Sequence, residues 1–180
     1  MEKAGTVFLP EDLATFCTEF LAASIDTIAT TLEWAIARLV LHPDIQGKLY
    51  DEIHGVAGDR PVDEEDLSQL PFLRAILKKT LRLHAPLPFL FPHMVSEPCK
   101  VGNHDIPMGS TVLFTIAYIA RDPEIWHEPL MFKPERFLIA DVDITGTKGV
   151  ATMPFGVGRR ICPGLGLATM HMELFVARLV

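Results

Sequence analysis

Cysteine is scarce in this 180-residue chain: Cys17, Cys99 and Cys162 are widely spread and form no CxxC pair. An odd, scattered set is not a disulfide framework and fits a reducing compartment. Positive charge is also short. Lys and Arg total 16 against 23 Asp and Glu, a formal net charge of −7. With no basic stripe interleaved by aromatics, that deficit excludes a general nucleic-acid surface. Long hydrophobic runs are missing too. No stretch of ~18–20 uncharged apolar residues occurs, so no membrane span is expected in this chain. The N-terminal MEKAGTVFLPEDL lacks the apolar stretch of a signal peptide.

What is present describes a globular chain that can bury a core, since 49% of its residues are hydrophobic. Pro10-Glu11-Asp12 opens a long apolar-faced pattern to about Leu41, because Pro suits the first turn and the acids suit the positive end of the helix dipole. This central helix, residues 10–41, is expected to cross the core. Pro43 and Pro71 open further helices within 43–85. Residues 87–117 hold short β-prone runs broken by Pro, Gly and Asn, which predicts a small antiparallel sheet. An irregular region containing PERF spans 121–153, a cysteine loop 154–164 and a last helix 165–180. The last helix stops without a cap, so residues 1–180 are expected to form a single partial domain, cut short. The predicted class is mainly α with a small antiparallel β-sheet.

The loop MPFGVGRRICPGLG, residues 153–166, concentrates the chemistry. A lone cysteine is usually a small buried hydrophobe, and Cys17 and Cys99 are expected to be that. Cys162 differs. It precedes a helix start, where backbone N–H groups and the dipole favour an anion, and Arg159 and Arg160 add positive charge. These effects favour thiolate. Glycines at 156, 158 and 164 permit close backbone approach to a bulky partner. A nucleophile would need a base, and zinc would need more Cys or His nearby; neither is evident. A single-thiolate ligand to haem iron meets the requirements. A phosphate loop would end in GK[ST], which FGVGRR does not.

Phe155, Gly158, Arg160, Cys162 and Gly164 match F-x-x-G-x-R-x-C-x-G, so the chain resembles the cytochrome P450 family. Three further stretches agree in order: PERF at Pro134–Phe137, Lys79-Thr80-Leu81-Arg82 where the family has Glu-x-x-Arg, and Ala23-Ser24-Ile25-Asp26-Thr27-Ile28 where it has Ala-Gly-x-Asp-Thr-Thr. The wording around them, such as LHAPLPFLFPH and ARDPEIW, looks like plant microsomal members. The resemblance covers the whole chain but only the C-terminal part of the family's fold.

The resemblance implies haem b as cofactor, with Cys162 as the iron ligand. Phe155 would pack on the ligand loop, while Gly158 and Gly164 complete the signature around the cofactor. Arg160 and His93 would meet the haem propionates. Asp26 and Thr27 would deliver protons to dioxygen, although a helical Thr also commonly bonds back to the preceding turn. Leu87, Phe89, Leu90 and Phe91 would line a pocket. It further implies a monooxygenase acting on a small lipophilic substrate, electrons from an NADPH-dependent reductase, and the cytosolic face of the endoplasmic reticulum membrane for the full-length protein. This chain alone has no evident anchor and would be cytosolic. His171 has no partner at ligand spacing and reads as a surface or core-edge residue.

Three positions depart from the pattern. Ser24 replaces Gly and Ile28 replaces Thr, which bears on pocket shape. Lys79 replaces a buried Glu that pairs with the Arg three residues on, here Arg82, with Arg136 of PERF alongside. Three cations would then meet in one place, unless Lys79 turns to solvent or sheds its proton. Two functions follow: a working haem-thiolate monooxygenase, or a non-catalytic remnant that binds haem weakly or not at all.

Overall fold

The computed structural model describes residues 9–140, 142–145 and 149–180. Parts of the irregular region and the first eight residues lie outside the described residues. Proline sets the helix starts. Pro10, Pro43 and Pro71 each sit in a first turn, where the missing N–H has no helical partner to lose. They open α1 (Pro10–Leu41), α2 (Pro43–Ala57) and α3 (Pro71–Leu83). The Leu9 N–H donates to Asp12 Oδ2 at 2.9 Å and closes the start of α1. Gly58, with φ 61°, ends α2, as an achiral residue can do without Cβ strain.

Glu52 of α2 caps α3 from outside. Its carboxylate accepts the N–H groups of Phe72 at 2.7 Å and Leu73 at 2.9 Å. This places an anion on the positive end of α3. Between α2 and α3 a 3₁₀ helix, Glu64–Gln69, appears where the sequence shows only turn signals. Arg60 holds it through both oxygens of Asp66, each at 2.7 Å.

Of the 13 residues in α3, ten are buried, so it forms the centre of the molecule. Ala35 and Leu39 of α1, Leu49 and Ile53 of α2, and Met172 and Val176 of α6 (Leu165–Leu179) close around Leu73, Ile76, Leu77 and Leu81 of α3. A smaller cluster joins Ala75 to Trp126 and Phe137, the latter on the single-turn α5 (Arg136–Ile139). One further turn, α4, spans Ile116–Ile119.

The β region differs from the single small sheet expected. It forms two separate antiparallel ladders. The strands β1 (His93–Met94) and β4 (Thr111–Val112) pair, and the hairpin β2 (Cys99–Val101) with β3 (His104–Ile106) is inserted between them in sequence. Pro98 and Pro107 flank the hairpin and lack the N–H that would continue the ladders.

Two other expectations need correction. The whole of α1 was expected to traverse the core, but only its C-terminal half is packed, with Thr31, Ala35 and Leu39 buried. Leu13, Phe16, Phe20, Leu21 and Ile25 stay exposed, at 43–64% of their surface. The chain accordingly exposes 12005 Å², against roughly 8,700 Å² for a compact monomer of its 20.0 kDa mass. By length and composition α1 is also long and apolar enough to cross a membrane, so the expectation of no span holds only in the sense of uncharged runs. Glu19, Asp26 and Glu33 recur every seven residues and keep one ridge of α1 acidic. Cys17 and Cys99, expected to be buried, are exposed. Cys17 lies on the uncovered half of α1, and Cys99 lies on a two-stranded hairpin whose strands are mostly exposed.

Because Ile76 is fully buried in the middle of α3, Ile76→Ala should lower stability by about 2–5 kcal/mol. In urea unfolding the midpoint should fall while the slope stays unchanged.

Candidate functional site

The cysteine loop is shaped by two left-handed glycines, Gly156 (φ 77°) and Gly158 (φ 67°). A Cβ at 156 would also stand 3.5 Å from the Arg160 carbonyl oxygen. Between them the chain reverses tightly. The Gly156 N–H donates to Met153 O at 3.0 Å, and the Cys162 N–H donates to Phe155 O at 2.8 Å. Phe155 packs against the main core and ties the loop to it. A short 3₁₀ turn, Gly158–Arg160, follows, and α6 begins at Leu165.

Cys162 is therefore a free, half-buried thiol just ahead of a helix start. A Cβ on Gly164 would lie 3.8 Å from its sulfur, so that glycine keeps one side of the thiol clear. Arg159 and Arg160 are exposed, with no ion pair among the described residues. The Leu90 side chain reaches the loop, standing 3.9 Å from the Cβ position at Gly156. Phe89 bridges to Thr115, and the Leu90 N–H donates to Phe114 O at 2.9 Å. This arrangement sets exposed Phe89, Phe91, Leu113 and Phe114 on the segments beside the loop.

The other sequence-predicted residues stand apart from the thiol. His93 is exposed on β1 and meets Phe114 edge-on at 5.7 Å. Asp26 is exposed on the acidic ridge of α1. Thr27 is half-buried, and its hydroxyl donates to Ala23 O at 2.7 Å. Ser24 likewise donates to Leu21 O at 3.0 Å. Among the described residues, no hydrogen bond joins Asp26, Thr27 or His93 to the cysteine loop. His171 is exposed.

A second constellation lies on α3. Arg82 is 1% exposed, donates to the carbonyls of Ala120 and Pro129, and stands 4.4 Å over the Trp126 ring. Lys79, one turn earlier, is 0% exposed, so it does not turn to solvent. Its Nζ and the Arg82 Nε have no hydrogen-bond partner. Arg136 donates to the carbonyls of His127 and Glu128. Burial first, then the charges of Arg82 and Arg136, pull the Lys79 pKa down to about 7. Burial and Arg136 likewise bring Arg82 down to about 10.

Sequence reasoning missed the partners of this cluster. His84 stacks on Trp34 at 3.8 Å and accepts from Arg38 at 3.1 Å. Burial and Arg38 hold it down at about 4, so the ring is neutral near pH 7. Arg121 donates to Leu83 O at 2.6 Å. Backbone carbonyls serve as the acceptors for Arg82, Arg121 and Arg136, and no residue-type pattern announces a carbonyl.

The cytochrome P450 family model matches residues 1–180. The chain belongs to the cytochrome P450 family. It is 48% identical to flavonoid 3'-monooxygenase of Arabidopsis thaliana over 163 residues, covering 88% of this chain and 32% of that protein. It is 41% identical to geraniol 8-hydroxylase of Catharanthus roseus over 165 residues, covering 91% and 33%. Among solved structures, a zebra fish cytochrome P450 with progesterone superposes at a TM-score of 0.83 and 35% identity, covering 98% of this chain and 40% of that one. The chain thus spans about a third of the length of the curated relatives it matches.

As a P450 chain it implies haem iron, and the donor set fits. One free thiol stands in a loop flanked by exposed apolar side chains and by two exposed arginines that have no ion pair among the described residues and suit carboxylates. Among the described residues no group of three or more His, Cys, Asp or Glu competes as a metal site.

The buried Lys79 also generates a pH dependence. Its folded pKa of about 7 lies below the ordinary lysine value of 10.5. Between the two the unfolded chain binds more protons, so stability rises with pH. Chemical unfolding from pH 7 to pH 10 should show the wild type gaining on Lys79→Met by several kcal/mol, on the order of 5 at most. A constant gap would show that Lys79 holds its proton in the fold as it does in the unfolded chain.

Proposed function

We propose that this chain carries the haem-thiolate site of a monooxygenase that inserts one oxygen atom of O2 into a small lipophilic substrate. Electrons come from an NADPH-dependent reductase. The observation that carries this reading is the Cys162 thiol, held by its own N–H on Phe155 O at 2.8 Å in a loop anchored to the core. Bound there, haem b supplies the redox chemistry that activates O2.

The protein's own residues do the rest. Cys162 ligates as thiolate, favoured by the start of α6 and by Arg159 and Arg160. Phe155 keeps water from the sulfur and fixes its direction. Gly158 and Gly164 leave room for a flat macrocycle, and Arg160 and His93 pair with its carboxylates. Leu87, Phe89, Leu90 and Phe91 offer the apolar wall that a lipophilic substrate needs. Asp26 and Thr27 move protons. The Thr27 hydrogen is committed to Ala23 O, so in this rotamer the hydroxyl presents only lone pairs. Passing a proton requires the hydroxyl to turn. The full-length protein would work at the cytosolic face of the endoplasmic reticulum membrane.

A second reading, a non-catalytic remnant, draws on one specific observation: the buried, unpartnered ammonium of Lys79 in the central helix. Breaking a buried pair costs about 3–5 kcal/mol, a large share of a domain's 5–15 kcal/mol.

The experiment is a reduced CO difference spectrum of the chain expressed with haem supply. A strongly red-shifted Soret band that disappears in Cys162→Ser is the expected result. Identical spectra for the two proteins would sink haem ligation by Cys162 and favour the remnant.

A further inference from the structure

Lys79 Nζ and Arg82 Nε are buried nitrogens with no acceptor, and both sit on one face of α3 at i, i+3. Every charge that acts on Lys79 is positive: Arg82 on α3, Arg136 on α5, Arg38 on α1 and Lys133 on the approach to α5. The acids of the neighbouring elements are engaged elsewhere. Glu128 is held by Lys133 and lies 3.8 Å from both Arg136 and His127. Glu135 pairs with Lys48 at 3.0 Å. Arg38 is turned onto His84, and Arg121 onto Leu83 O. Lys78, the next residue along α3, reaches Val142 O at 3.4 Å instead. The large majority of buried side-chain polar atoms are hydrogen-bonded, and an orphan pair of like charge calls for a missing acceptor.

We propose that the Lys79–Arg82 pair binds one small monovalent anion, of chloride or formate size. The anion accepts from both orphan nitrogens and offsets one positive charge of the cluster. Small size follows from the complete burial of Lys79: a large or strongly hydrated anion would have to force α3 away from its packed neighbours. A single negative charge matches Lys79, which has no acceptor at all among the described residues, whereas Arg82, Arg38, Arg121 and Arg136 each have one or more. This site is separate from the cysteine loop and does not rest on haem binding.

The test is thermal unfolding at pH 6.5 in potassium chloride against potassium gluconate at equal ionic strength, with ³⁵Cl NMR linewidths as a direct readout. Chloride at tenfold its Kd should raise Tm by about 3–6 °C over gluconate and broaden the ³⁵Cl line. Lys79→Met, which removes a buried charge and should fold at least as well, should lose both effects. Lys78→Met should keep both. Equal Tm in the two salts, or a chloride effect that persists in Lys79→Met, overturns the proposal.

Discussion

Arg82 ties the parts of this structure together. Its guanidinium leaves α3, reaches the carbonyls that end α4 and precede the PERF segment, and stands 4.4 Å over the Trp126 ring. Carbonyl acceptors and an aromatic face are what a buried planar cation can use when no carboxylate is near. Through these contacts the central helix positions the irregular region, which contains few regular elements of its own. That region packs through Phe137 and Trp126, and the Trp126 indole N–H donates to Ala151 O at 3.1 Å, just before the cysteine loop. The loop's placement therefore depends on Arg82 at one remove.

This dependence makes Lys79 more than a local oddity. A neighbouring cation in the same buried volume weakens the element on which the rest is hung. Proton loss near neutral pH relieves the repulsion, and an acceptor drawn from solution would do so differently. The loop around Cys162 keeps its tight, core-anchored form, while the support beneath it carries an electrostatic cost.

Much of this was legible in the sequence. Pro10, Pro43 and Pro71 mark helix starts because a fixed φ and an absent N–H mean the same thing in any fold. The five positions around Cys162 were legible because glycine, arginine and cysteine there answer to one steric and one electrostatic need. The single expected sheet became two ladders because Pro98 and Pro107 act on pairing, which a run of β-prone residues does not reveal. Lys79 could be flagged from its position beside Arg82, but whether it turned outward was decided by packing on all sides of α3. The Glu52 cap, contributed across 20 residues of chain, has no local signature. Cys17 and Cys99 misled because burial habit belongs to a residue type, and exposure belongs to the surface an element is given.

The uncovered half of α1 has a consequence for the residues at its middle. From Pro10 to about Ile25 the helix has little tertiary packing, and its order rests on intrinsic propensity. Its Ala, Leu and Glu residues favour a helix, while Thr15, Phe16, Thr18 and Phe20 are weaker formers. Thr15, Thr18 and Thr27 turn their hydroxyls back onto carbonyls one turn earlier, a bond that slightly disfavours a straight helix. An isolated stretch of that length sits close to the helix–coil midpoint. Asp26 and Thr27 stand where packed order gives way to this balance, so their geometry is imposed from the C-terminal side alone, and heat will loosen it before the core melts.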